Sequence, residues 1–179
     1  QGHSVLGRPP GVENSAGSLG MGLSFGLGIA LGARLRDLDS DVYVLMGDGE
    51  QNEGQVWEAV MAAAHHKTDR LVALIDRNGI QNDDFTKNVM VTEPLDEKYR
   101  AFGWEVRSDV DGHDPAAVEE ALSWGRDVSG APACIIFDTV KGKGVSFMEG
   151  SLQWHHNVPK GEQLETARKE LAIDDYGTG

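Results

Sequence analysis

Val42-Tyr43-Val44-Leu45-Met46-Gly47-Asp48-Gly49-Glu50 and Leu71-Val72-Ala73-Leu74-Ile75-Asp76-Arg77-Asn78-Gly79 decide how this chain is read. Each opens as a short apolar run, the pattern of a buried strand. Each then passes into acid, amide and glycine. One helix-length segment, Glu53 to Lys67, lies between them. A strand–helix–strand unit places two parallel strands side by side with their carboxyl ends together. Asp48 and Asn78 are therefore expected to meet at the edge where open α/β sheets bind ligands.

That pair suits a hard divalent cation. Mg²⁺ is typically held by one or two carboxylates, substrate phosphates and water. A carboxylate, a side-chain amide oxygen and a backbone carbonyl just beyond Asn78 suffice when phosphate oxygens supply the rest. Gly47 and Gly49 let the chain turn sharply and leave its backbone uncovered. The spacing also permits a plainer reading, in which Asp48 caps the next helix and Asn78-Gly79 is only a turn.

A longer window narrows the choice. Gly47-Asp48-Gly49-Glu50-Gln51-Asn52-Glu53-Gly54-Gln55-Val56-Trp57-Glu58-Ala59 resembles the thiamine diphosphate motif of transketolases, and so does Asp76-Arg77-Asn78-Gly79-Ile80-Gln81. The likeness runs from Gly2-His3 to Trp154-His155. It implies a metal, Mg²⁺ or Ca²⁺, held by Asp48, Asn78 and the backbone carbonyl of Ile80. Gly47, Gly49 and Glu53 are then cofactor-binding residues, and Gly17 and Leu19 contact the thiamine. His3 matches the histidine of the family's Gly-His, though Ser4 stands where the family usually has Pro, and it is expected to meet donor-substrate hydroxyls. His155 is expected near the diphosphate and substrate, with His156 as an extra neighbour. Glu53 and Glu58 are expected to face a partner chain and join a carboxylate relay between two cofactors. Thr139-Val140-Lys141-Gly142-Lys143-Gly144-Val145 corresponds to a loop that closes near the diphosphate; it lacks the residue order of a P-loop.

The activity so implied is transfer of a two-carbon ketol unit from a ketose phosphate to an aldose phosphate, chemistry of the pentose phosphate type in the cytoplasm. The chain resembles the diphosphate-binding half only. A pyrimidine-binding and C-terminal subunit or domain is therefore expected as partner, in a homo- or hetero-oligomer. The family's upstream segment, with two further histidine motifs, has no counterpart before Gln1. Deoxyxylulose phosphate synthases and 2-oxoacid dehydrogenases are alternatives within thiamine diphosphate chemistry. The run Glu53 to Glu58 and Lys141-Gly142-Lys143-Gly144 favour transketolase over them. A non-catalytic remnant would be expected to have lost Asp48 or Asn78.

Composition sets the outer bounds. A chain of 179 residues, 40% hydrophobic and 25% charged, fits one globular domain, taken as residues 1–179. A formal net charge of −13 argues against a general nucleic-acid or anionic-membrane surface. A local diphosphate site remains possible because a metal reverses the local sign. No apolar run is long enough to span a bilayer, and no signal peptide is visible. Cys134, the lone cysteine, lies in an apolar run and is expected to pack in a core, as in a reducing compartment.

Five strand–helix alternations predict an α/β fold with a mainly parallel sheet flanked by helices. Gly22, Gly26, Gly28 and Gly32, spread through an apolar stretch, predict a helix whose backbone lies very close to another element. Residues 53–67 form the next helix, with Val56, Val60, Ala63 and Ala64 on its buried face. Adjacent His65 and His66 point apart on a helix and make a poor chelate. Asp114 before Pro115 marks a helix start, followed by Ala116–Arg126. His113 reads as structural. Residues 82–94 form a polar loop, and 162–171 a closing amphipathic helix.

Overall fold

The computed structural model describes residues 3–173. Its centre is a four-stranded parallel sheet. The strands are β1 (Val42–Gly47), β2 (Leu71–Arg77), β3 (Glu105–Asp111) and β4 (Ala133–Asp138), in the order β1-β2-β4-β3. The helices are α1 (Gly22–Leu35), α2 (Gly54–His65), the single-turn α3 (Thr86–Val89), α4 (Leu95–Ala101), α5 (Pro115–Asp127) and α6 (Glu162–Glu170). The α/β class expected from the sequence is the one found. The described residues hold four strands rather than five strand–helix repeats, because α1 follows a stretch of turns and not a strand.

Strand alternation sends side chains to two cores. Leu71, Ala73 and Ile75 of β2 and Cys134 and Ile136 of β4 meet Leu23, Leu27, Val56, Val60 and Tyr99 on one face. Val72, Ala133, Ile135 and Phe137 meet Ala121 on the other, under α5. Both central strands are thus buried on both sides, and Cys134 sits fully inside. Burial pushes its thiol well above the ordinary range, so it stays protonated.

β1 corrects one expectation. It is an edge strand, and only its Val44 and Met46 side is buried. Tyr43 and Leu45 are 43% and 71% exposed, because α5 packs mainly on β3 and β4. An apolar run alone does not say whether a helix will cover its second face.

The glycine-rich helix is also half as predicted. A Cβ on Gly26 would lie 2.4 Å from Val44 Cγ2, so α1 does lie very close to something, but that element is β1 rather than a second helix. Gly28 and Gly32 meet nothing within 4 Å. At the far edge, β3 carries one extra residue against β4 between Arg107 and Val110, with Asp109 at φ 59°. That bulge moves Val110 onto the opposite core from Val106, although both share strand parity. Asp114 caps α5 by accepting from the Ala116 amide at 2.9 Å. No helix among the described residues is long and apolar enough to cross a membrane.

Candidate functional site

Register places the site. Gly47 pairs with Asp76, so β1 ends one residue before β2, and the Asp48 amide donates to the Asp76 carbonyl at 3.1 Å. The chain then enters a 3-10 turn, Gly49–Asn52, before α2. Asp48 is 3% exposed. Its Oδ1 accepts from the Gly49 amide at 2.8 Å, and its Oδ2 from the Gly79 amide at 2.8 Å and the Thr86 hydroxyl at 3.4 Å. Asp48 therefore caps the 3-10 turn and not α2, whose N-cap is Glu53, and the same carboxylate is the acid at the strand end. Asn78 turns its Oδ1 back onto the Ile80 amide at 3.0 Å. Gly49 cannot carry a side chain here, since a Cβ would lie 2.6 Å from Gln81 Cβ.

The turn is anchored from beneath. Gln51, 1% exposed, donates from Nε2 to the Gly47 carbonyl at 3.1 Å and accepts from the buried Tyr99 hydroxyl at 2.8 Å. Its own carbonyl accepts from Trp57 Nε1 at 2.8 Å. These are fully satisfied polar groups inside an apolar core, the arrangement that fixes one geometry rather than several.

Above this turn opens a cavity of about 420 Å³, a size suited to a small-molecule cofactor. Gly47, Asp48, Gly49, Asn78 and Ile80 line it, together with Leu19, Glu53, Lys141 and His155. Seven of the cofactor-binding residues expected from the sequence thus converge. His155, not His156, is the histidine in the wall. The other three expected residues, His3, Gly17 and Glu58, lie outside the lining. His3 packs its ring against Gly17, within 3.2 Å of where a Cβ would stand. Glu58 lies exposed on the outer side of α2.

Electrostatics fit a cation and an anion together. Burial pushes the Asp48 carboxyl above its ordinary value, and neighbouring Asp76 adds to this; the three hydrogen bonds oppose it. A divalent cation beside Asp48 would relieve both penalties. The available donors are all oxygen: carboxylate, amide and carbonyl, the set hard cations take. No cluster of three His, Cys, Asp or Glu side chains able to hold a metal exists among the described residues. A metal here therefore needs ligand oxygens as well as Asp48 and Asn78. Lys141 supplies positive charge in the same lining. His155 is held below its ordinary value by burial, by Lys141 and by His156, and its Nδ1 is a buried polar atom with no partner in the protein. These features match a metal–diphosphate group.

Several contributors were not singled out from the sequence. Glu50 lies inside the motif, but its contact is with Gly20, 30 residues away. Gln51 and Tyr99 are 48 residues apart, and no local pattern couples them. His113, expected to be structural, accepts from the Val140 amide at 2.7 Å and so seats the loop that carries Lys141. His65 and His66 only touch edge to face.

The parallel sheet and the cavity at its carboxyl edge define an α/β cofactor-binding domain. Comparison with known proteins makes this specific. Residues 1–178 match the family described as transketolase, thiamine diphosphate binding domain. The chain belongs to that family. It is 44% identical over 170 residues to one of the subunits of the apulose-4-phosphate transketolase of Actinobacillus succinogenes, covering 95% of this chain and 61% of that protein. It is 40% identical over 169 residues to a 6-deoxy-6-sulfo-D-fructose transketolase subunit of a Clostridium species, covering 94% and 61%. The chain thus spans about three fifths of the length of these curated relatives. The crystal structure of transketolase from Campylobacter jejuni superposes with a TM-score of 0.85 at 31% identity, over 93% of this chain and 27% of that one.

Proposed function

We propose that this chain binds the diphosphate of thiamine diphosphate through Mg²⁺, and supports ketol transfer from a ketose phosphate to an aldose phosphate together with a pyrimidine-binding partner. The observation that carries this reading is the parallel register of β1 and β2, which brings the buried Asp48 carboxylate to the Asn78-Gly79 turn in one cavity lining. Asp48, Asn78 and the Ile80 carbonyl would hold the metal, and Ca²⁺ could replace Mg²⁺ at such oxygen donors. Bound there, thiamine diphosphate supplies a nucleophilic carbon and an electron sink, the chemistry that side chains lack.

The rest falls to the protein's own groups. Asp48 is held rigid by two amides and a hydroxyl, so the metal would be oriented rather than merely attracted. Gly47 and Gly49 leave room for close approach of phosphate oxygens. Lys141 offsets diphosphate charge from the same lining. His155, neutral at pH 7 by the direction of its shift, can offer Nδ1 to a phosphate or sugar oxygen. Gly17 and Leu19 would take the thiamine side and His3, packed on Gly17, the donor hydroxyls; of the three, Leu19 lines the cavity.

A partner is inferred from the relatives. Two of those similar to this chain are named as subunits of transketolases. Glu53, Glu58 and the bare Phe25 and Ile29 face of α1 are where we expect it to dock, with the two glutamates in a relay between cofactors. The buried thiol of Cys134 fits a reducing, cytoplasmic setting. The relatives' names carry different sugars at similar identity, so the reading here is kept to the class of sugar phosphates.

The test is reconstitution. The chain is mixed with a pyrimidine-domain partner, and ketol transfer from a ketose phosphate to an aldose phosphate is followed with thiamine diphosphate and Mg²⁺. Activity in the mixture, absent from either chain alone and lost in Asp48→Ala, is the expected result. Full activity of the Asp48→Ala mixture would overturn the metal assignment.

A further inference from the structure

Glu50 occupies a position that no role above explains. Its carboxylate spans two segments of the cavity wall. Oε1 accepts from the Gly20 amide at 2.9 Å, and Oε2 accepts from the Gly47 amide at 3.3 Å. Gly47 belongs to the end of β1, on the side of Asp48. Gly20 belongs to the turn before α1 that carries Leu19, which is 60% exposed and projects into the cavity. These two walls have no strand pairing between them, since β1 pairs only with β2.

The Gly20 turn has a second point of closure. Gly20 sits at φ 82°, and a Cβ there would lie 2.6 Å from Glu53 Cβ. The turn therefore rests directly on the start of α2. Glu50 grips its amide while Gly20 leaves room for the approach. Two consecutive side chains hold Gly47 from opposite sides. Gln51 points inward and locks the Gly47 carbonyl to Tyr99, and Glu50 points outward and locks the Gly47 amide to Gly20.

We propose that Glu50 is a positioning residue that sets the distance between the metal–diphosphate wall and the Leu19 wall of the cavity. It acts through Gly20 and Leu19 on the thiazolium side of the cofactor, not through the metal. This rests on the thiamine diphosphate reading. One carboxylate accepting from both amides ties the two segments, with the 2.9 Å bond to Gly20 the shorter of the two. Its loss would let the Leu19 turn drift while β1, β2 and the Asp48 network stay in place.

Calorimetric titration with two probes separates these roles. Thiamine diphosphate spans both walls, and inorganic pyrophosphate engages the metal wall only; each is titrated with Mg²⁺ into the chain, alone and then with the pyrimidine-binding partner. Glu50→Ala should weaken thiamine diphosphate binding by about tenfold and leave pyrophosphate within about twofold. Glu50→Gln, which keeps one acceptor oxygen, should fall between. Gly20→Ala, which disturbs the same turn from the other side, should reproduce the selective loss. Retained pyrophosphate binding also shows that the sheet edge is folded. Equal losses for both probes, or no loss for either, would overturn the positioning role. Failure of the unsubstituted chain to bind either probe, with Mg²⁺ and the pyrimidine-binding partner both present, would instead overturn the cofactor reading and the positioning role with it.

Discussion

The Asp48 carboxylate and the Gly79 amide are joined at 2.8 Å across 31 residues of sequence. This one bond fastens the end of β1 to the turn after β2, and it makes Asp48 a structural and a chemical residue at once. The two roles separate on substitution. Asp48→Asn removes a desolvated charge and keeps one acceptor oxygen, but sets its NH2 against one of the two amides that Asp48 accepts from, so the metal-free domain should lose about 1–3 kcal/mol, less than Asp48→Ala. Its Mg²⁺-dependent affinity for thiamine diphosphate should fall about a hundredfold, roughly 2.7 kcal/mol. Asp48→Ala leaves the Gly49 and Gly79 amides without that acceptor and should lose both stability and binding. Urea unfolding without metal, beside calorimetry with it, checks the pair.

Tyr99→Phe removes a hydroxyl and leaves Gln51 Oε1 buried without a donor. Such an orphaned group costs about 1–3 kcal/mol. Denaturant midpoints should shift accordingly. The Trp57 and Trp104 contacts of the ring remain, so a larger loss would mean that the aromatic cluster itself had moved.

Two glycines of α1 should respond in opposite directions. Gly26→Ala drives a methyl toward the stiff Val44 side chain and should cost about 1–3 kcal/mol. Gly28→Ala meets open space and should stabilise the isolated chain by about 0.5–1 kcal/mol. Thermal unfolding of the two variants tests the packing of α1 on β1 without reference to any ligand. If both were neutral, that packing would be wrong.

His155 gives a pH dependence with a definite sign. Its ordinary value is 6.5, and burial, Lys141 and His156 hold it lower in the folded chain. The unfolded chain therefore binds more protons in the window just below pH 6.5. The stability it contributes is complete above that value and is lost as pH falls through it toward the depressed folded value. His155→Asn should flatten this part of the stability–pH curve. An unchanged slope would place the titration elsewhere.

The central strands were legible because β2 and β4 are buried on both faces and their apolar runs are unbroken. The run at β1 looked the same, yet Tyr43 and Leu45 are bare; coverage by a helix is a tertiary fact that residue type does not carry. The meeting of Asp48 and Asn78 was legible because one strand–helix–strand unit dictates it. Glu50 with Gly20 and Gln51 with Tyr99 were not, since their partners lie 30 and 48 residues away and no period links them. Glycine spacing announced a close approach at Gly26 but did not say against what. It announced one equally at Gly28 and Gly32, where there is none.

The central claim is that a divalent metal at Asp48 and Asn78 carries the diphosphate. Calorimetric titration of thiamine diphosphate into the chain, with Mg²⁺ and then with a chelator, tests it most directly. The account predicts saturable binding with Mg²⁺, strengthened by the pyrimidine-binding partner and abolished by the chelator. Binding of equal strength with and without the metal, or none with Mg²⁺ and partner both present, would contradict it.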